Sequence, residues 1–255
     1  MPKRFILMTE NEVRNTRSVA ARMYRERFGA HSLSEDDAIK DTEHTIAQHK
    51  QILKLARETN EKTFDASEMV DYGFIQPGLM APVVRLTPGS EITAEYMRFG
   101  FPQPLKYISI SKGSFSDYLC NARSESVTEK PTFAEHVLIH RCILPVMGYW
   151  EGSVNSPERD ILHMDFKSGL MYLAGIYKSV KDGATGKQIS VCCILTQNPV
   201  QSEVKKVHDR MPVLIEGDRI GEWLTCGTTP GSVREFIAAQ KTPLLAVVNR
   251  MTAFS

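Results

Sequence analysis

Apolar and polar positions alternate through much of the chain beyond residue 70. Leu162, Met164 and Phe166 alternate with His163 and Asp165, while Ala81 to Leu86, Met171 to Tyr177 and Ile189 to Thr196 are apolar or period-two runs bounded by Pro, Gly or Asp. That pattern predicts strands. The N-terminal quarter has a different period: Ile39, Ile46 and Leu53, supported by Ile52 and Ala56, recur at helical spacing and leave Lys, Glu and Gln opposite. One face of a helix there is expected to be buried. Ser34 and Asp37 form a capping-box-like start, and Glu35, Asp36 and Asp37 fall in the first turn, where the helix dipole favours carboxylates. A shorter helix from about Glu12 to Phe28, closed by Gly29, would complete a helical hairpin. Further short helices are predicted at Thr132 to His140, Asp218 to Leu224 and Ser232 to Gln240, the last with Ser232 and Glu235 in capping-box spacing. Without strict β-α-β alternation, a G-x-G-x-x-G or a Walker-type loop, the expected class is α+β on a mixed, strongly curved sheet.

Composition narrows the function classes only slightly. The 255 residues are 42% hydrophobic and 24% charged, so the chain is expected to fold as an ordinary soluble protein that buries about 70 to 75% of its unfolded surface. Lys and Arg number 31 against 30 Asp and Glu, so any nucleic-acid surface must be a local patch. Charge is nonetheless divided locally, basic over residues 1 to 30 and acidic over 31 to 70. No run approaches the ~20 apolar residues of a membrane span, no targeting segment is seen, and a cytoplasmic location is expected. Cys120, Cys142, Cys192, Cys193 and Cys226 include no C-x-x-C pair, and Cys192 and Cys193 would face opposite sides of a strand. This suggests reduced, buried thiols and argues against a zinc site.

Three clusters set polar groups beside apolar runs: Asn121 to Glu125, Met147 to Glu151, and His208 to Pro212. An acid (Glu151), a base (His208), an amide (Asn121) and two guanidiniums (Arg123, Arg210) suit the handling of a carbonyl near a phosphate, if the fold brings them together. Plainer readings stand beside this one. Glu151 taken alone is a strand-end carboxylate paired with an arginine, and His208 alone a donor to a backbone carbonyl. Tyr149 and Trp150 read more simply as core than as stacking platforms. His44 and His49 read as helix-surface residues, and His136 and His140 share a helix face with no third ligand, so no metal is expected. Arg14, Arg17, Arg22, Arg25 and Arg27 read as a solvated helix face.

The series Met97 to Pro102, Asn121 to Glu125, Lys130-Pro131 with Phe133, Arg141 to Pro145, Gly148 to Glu151, Leu173 to Tyr177, Ile194 to Thr196 and His208 to Pro212 resembles the SOS-response-associated peptidase family. The clusters follow the family's order across about residues 74 to 250. The resemblance implies one domain over 1–255, with a curved, barrel-like β core, flanking helices and a cleft for single-stranded DNA. Residues 10–70 would be a helical region partly inserted relative to compact members. Members of the family shield abasic sites through an N-terminal cysteine, whose amine and thiol condense with the sugar aldehyde to a thiazolidine. By resemblance, Asn121 orients the N-terminal residue, Glu151 is the acid/base, and His208 assists ring opening and proton transfer. Arg4, Arg123 and Arg210 hold phosphates, and Phe99 stacks on a base.

The sequence departs from that pattern where the chemistry would be. Pro2 stands at the nucleophilic cysteine and Lys3 at the following glycine; Phe74 replaces an early asparagine, and Gly152 follows Glu151 where Trp is usual. Pro2 has no thiol and cannot form a thiazolidine. The expected ligand is single-stranded or abasic-site DNA, bound by a monomer without cofactor, metal or membrane. Two further readings use Glu151 and His208: a lyase-like reaction through the Pro2 amine, and a peptidase-like self-processing activity.

Overall fold

The computed structural model describes residues 4–15, 17, 18, 22, 35–60, 64, 68, 69, 71–103, 118–151, 161–165, 170–183, 185–241 and 245–249. In chain order the strands are β1 (Arg4–Leu7), β2 (Gly73–Ile75), β3 (Met80–Leu86), β4 (Ile92–Phe99), β5 (Phe101–Pro102), β6 (Tyr118–Leu119), β7 (Asn121–Arg123), β8 (Arg141–Val146), β9 (Gly148–Glu151), β10 (Ile161–Asp165), β11 (Met171–Lys181), β12 (Gln188–Gln197), β13 (Met211–Pro212), β14 (Leu214–Ile215) and β15 (Leu245–Asn249). The helices are α1 (Glu35–Asn60), α2 (Ala134–Ile139), α3 (Ser202–Val207), α4 (Ile220–Thr225) and α5 (Pro230–Ala238).

Strands β12, β4, β3, β8 and β11 pair in that order, and β11 pairs back onto β12 to close a barrel. Every pairing in the ring is antiparallel except β4 with β12. A second sheet, in the order β15-β10-β9-β1-β2, packs Phe5, Ile75 and Tyr149 into the same apolar cluster as the barrel residues Met97, Leu144, Leu173 and Ile194. The class is therefore mixed α+β with a closed, curved sheet. Because strand side chains alternate, each barrel strand feeds two cores. Along β12, Cys192 and Ile194 join the interior cluster, while Val191, Cys193 and Leu195 join the cluster beneath the helices with Val137, Trp223 and Phe236. Each large side chain so buried contributes about 1.5–3 kcal/mol. Gly175 belongs where the barrel is tightest, since a Cβ there would lie 2.8 Å from Leu144 Cδ1 and 2.9 Å from Cys142 Sγ.

Helices α2 and α4 are fixed to the barrel by one buried guanidinium. Arg141 donates to Trp223 O at 2.8 Å, Val137 O at 2.9 Å and Leu138 O at 2.6 Å, and also to Cys226 O, while Trp223 Nε1 donates to Cys142 O at 2.9 Å. These bonds satisfy carbonyls at the C-terminal ends of short helices, which have no partners within the helix.

The long helix α1 lies against β3 and β4 and buries Ile46, Leu53 and Ala56, in agreement with its apolar stripe. Its last residue is tied to the sheet where Tyr96 N donates to Asn60 Oδ1 at 2.6 Å. Thr42, Thr45 and His49 are buried on the same helix, so His49 is not the surface residue expected; His44 is exposed. Burial pushes the His49 pKa down to about 4. Arg17, expected on a solvated face, is also buried, whereas Arg14 lies exposed in an ion pair with Glu43 at 3.0 Å. The expected start at Ser34, the close at Gly29, and Arg25, Arg27 and Phe166 lie outside the described residues. The capping box of α5 is formed by Thr229 and Ser232, not by Ser232 and Glu235. Pro230 at the first helical position has its φ preset for the helix, and this moves the start three residues upstream.

Candidate functional site

Strand β1 runs antiparallel between β2 and β9, with Arg4 opposite Trp150 and Phe5 opposite Tyr149. The strand therefore enters the sheet beside the end of β9, whose last residue is Glu151. All four β9 residues are buried, as the apolar reading of Tyr149 and Trp150 anticipates, and Glu151 is only 3% exposed. Withdrawing a carboxylate from water disfavours its charge, and burial pushes the Glu151 pKa up to about 7.

His208 follows α3 and turns its Nε2 to 3.6 Å from Glu151 Oε1. Burial lowers the imidazole's pKa, so it is predominantly neutral near pH 7. Its other nitrogen is contested. Nδ1 lies 2.7 Å from Asp209 Oδ1, which calls for a proton on Nδ1, and 3.1 Å from the Arg210 amide nitrogen, which calls for a lone pair there. With the proton on Nδ1, Nε2 turns a lone pair towards a protonated Glu151; with Nδ1 accepting, Nε2–H faces a carboxylate. Asp209 is 83% exposed, so its hold on Nδ1 is weakened by solvent. The two arrangements differ by one proton, and an acid near 7 beside a neutral imidazole is suited to passing a proton at neutral pH.

The remaining groups follow from the end of β12. Strand β7 lies parallel to it, with Ile194 opposite Asn121 and Thr196 opposite Arg123. Asn121 is half-buried, and its Oδ1 is buried without a hydrogen-bond partner among the described residues. Arg123 is exposed. Arg210 is 6% exposed and both its terminal amino groups are engaged: they donate to the two carboxylate oxygens of Glu125 at 2.7 and 2.8 Å, to Asn198 Oδ1 at 2.7 Å and to Thr196 O at 2.6 Å. That corrects the expectation that Arg210 holds a phosphate; its planar fork instead binds the Asn121–Glu125 segment to the His208 loop. Phe99 is likewise corrected. It lies fully buried in the barrel, edge-on to Phe5 at 5.0 Å, beyond the reach of a base.

The chain thus brings Glu151 to His208, and links His208 through Arg210 to the strand carrying Asn121 and Arg123. Pro2 lies outside the described residues, as does the side chain of Arg4. Phe74 packs near Trp150, with ring centroids 6.0 Å apart. The contributions of Asp209, Glu125 and Thr196 were missed in the sequence; an acid adjacent to a candidate histidine is the signal that would have marked Asp209. The five cysteines are buried or half-buried, and burial pushes the thiols of Cys142, Cys192, Cys193 and Cys226 up, the opposite of activation. Among the described residues no group of three His, Cys, Asp or Glu is placed to hold a metal ion, and no helix is long and apolar enough to cross a membrane.

The family profile described as "SOS response associated peptidase (SRAP)" matches residues 16–251. Abasic site processing protein YoaM of Bacillus subtilis is 33% identical over 108 residues, which is 42% of this chain and 47% of the relative. Abasic site processing protein YoqW of Bacillus phage SPbeta is 32% identical over 108 residues, with the same shares. The chain thus spans about half the length of the curated relatives it matches. Among solved structures, a protein from Bordetella bronchiseptica superposes with a TM-score of 0.57 at 23% identity, covering 76% of this chain and 96% of that one. A protein from Bacteroides thetaiotaomicron gives 0.57 at 20% identity, covering 79% and 88%. These two likenesses concern the fold.

Proposed function

The chain belongs to the SOS response associated peptidase family, and from that premise we propose that it binds single-stranded DNA containing abasic sites, with the sugar presented to Glu151 and His208. The observation that carries the reading is the buried pair, a carboxyl titrating near 7 with an imidazole nitrogen 3.6 Å away. A ring-opened abasic sugar is an aldehyde. Opening the ring needs a proton at the ring oxygen and removal of one from the hydroxyl, and an acid and a base within one step of each other can supply both. Asn121 would offer an amide acceptor, Arg123 an exposed cation for phosphate, and Arg4 a second cation at the start of β1. Resemblance to relatives named for abasic site processing supports the substrate class.

The family's thiazolidine cross-link requires a thiol that Pro2 lacks. Binding without a stable cross-link is therefore the principal reading. A second reading is favoured by the register of β1, which enters the sheet beside Glu151. If Met1 is removed, the Pro2 secondary amine adds to the aldehyde and loses water to give an iminium ion, with Glu151 or His208 moving the protons. Peptidase-like self-processing at the same pair is the remaining alternative.

The test incubates the protein with abasic single-stranded DNA, with and without borohydride, and follows binding across salt and the intact mass. Affinity that falls with salt, as counterion release requires, supports the principal reading. A borohydride-dependent mass increase by one DNA adduct supports the Pro2 amine. Affinity indifferent to salt, or no affinity, contradicts the proposal. Expression beside Glu151→Gln, with N-terminal masses compared, addresses self-processing.

A further inference from the structure

An open cavity of about 250 Å³ lies between the end of β12 and α5. Val200, Ile237 and Ala238 form its apolar part, and the amides of Gln197 and Gln240 its polar part. Arg234 stands exposed at its wall, donating to Thr128 Oγ1 at 3.1 Å. Glu125 also lines the cavity, but its charge is compensated: hydrogen bonding from Arg210 holds its pKa below the usual carboxylate range. Gln240 Nε2 donates to Phe236 O at 2.9 Å, while its Oε1 is buried and accepts no hydrogen bond among the described residues.

We propose that this cavity receives the base of a nucleotide flanking the one held at Glu151 and His208. The inference rests on the reading above and extends it to a second position on the strand. A flat heterocycle with an apolar face and a polar edge matches an apolar lining bordered by two amides. Position supports the same occupant. Ser124 lines the cavity three residues beyond Asn121. At strand rise that is about 10 Å, a distance covered by no more than about three stacked nucleotides. Arg123 lies between, exposed, where a connecting phosphate would pass, and Arg234 supplies a second cation beyond.

The experiment measures affinity for a labelled single-stranded oligonucleotide with one abasic site, replacing each neighbouring base in turn by an abasic analogue. Wild type is compared with Ala238→Trp, which fills the cavity from an exposed helix position, and with Val200→Glu, which sets a negative charge at an exposed position of its lining. The expected result is one position, within about three nucleotides of the abasic site, where losing the base weakens wild-type binding about tenfold and has little effect on either variant. A base scan identical in all three proteins, with affinity retained, overturns this inference alone. Absence of salt-dependent affinity in wild type overturns it together with the reading on which it rests.

Discussion

Two buried carboxylates in this molecule have opposite surroundings. Glu95, on β4, meets Arg85 of β3 at 2.8 Å, and the Arg85 guanidinium also caps Leu86 O at 2.8 Å and lies 5.6 Å from the Tyr177 ring centre. Arg85 stands opposite Cys142 near the start of β8; from there β8 runs away towards Val146 and on to β9, which ends at Glu151. There the carboxyl faces an imidazole at 3.6 Å that burial keeps neutral. The pairing with Glu95 raises the Arg85 pKa, whereas burial lifts that of Glu151 to about 7. One carboxylate is tied to a guanidinium as part of the structure; the other keeps a transferable proton. Depth of burial does not distinguish them, since both are under 10% exposed. The chemistry of the neighbour does.

The largest expected effect breaks the structural member of this comparison. Glu95→Gln leaves the half-buried Arg85 guanidinium without its counter-ion and is expected to destabilise the fold by about 3–4 kcal/mol, towards the low end for a buried pair, read as a lower denaturant midpoint with unchanged slope. Glu151→Gln should do the reverse, and only above a certain pH. The folded pKa is raised from the ordinary carboxyl value of 4.5 to about 7, so the stability associated with the held proton is fully present below 4.5 and lost as pH rises through 7. The variant should match wild type near pH 4 and exceed it by about 3 kcal/mol above pH 8, visible as a Tm difference that opens between those values. Arg123→Ala should be the smallest perturbation to the fold, under about 0.5 kcal/mol for an exposed side chain. It should nevertheless reduce the salt slope of DNA binding by about one.

What the sequence makes legible follows the range of the interaction. β3, β11 and β12 can be read from period-two runs because alternation is local, and it even assigns Cys192 and Cys193 to different cores. The stripe of α1 is equally local. His49 escapes this reading, since a polar residue beside the stripe looks solvated until the distant Asp71–Tyr72 segment folds against it. Phe99 and Arg210 are misread for the same reason. Short motifs nominate both, but an aromatic ring serves a DNA cleft or a barrel interior equally well. A guanidinium likewise accepts Glu125 and Thr196 as readily as a phosphate. Glu151 and His208, 57 positions apart in the numbering, meet only through the turn from β8 into β9 and the return of the chain along β12. Each is nominated by its local cluster, and their 3.6 Å approach is a product of topology.

The central claim, a transferable proton on Glu151, is tested most directly by following the carboxyl carbons of 13C-labelled glutamates by NMR as pH is varied. One resonance with a midpoint near 7, missing from Glu151→Gln and displaced when His208 is replaced by Gln, is the predicted result. A Glu151 carboxyl that titrates with the solvent-exposed glutamates near 4.5 would contradict the account.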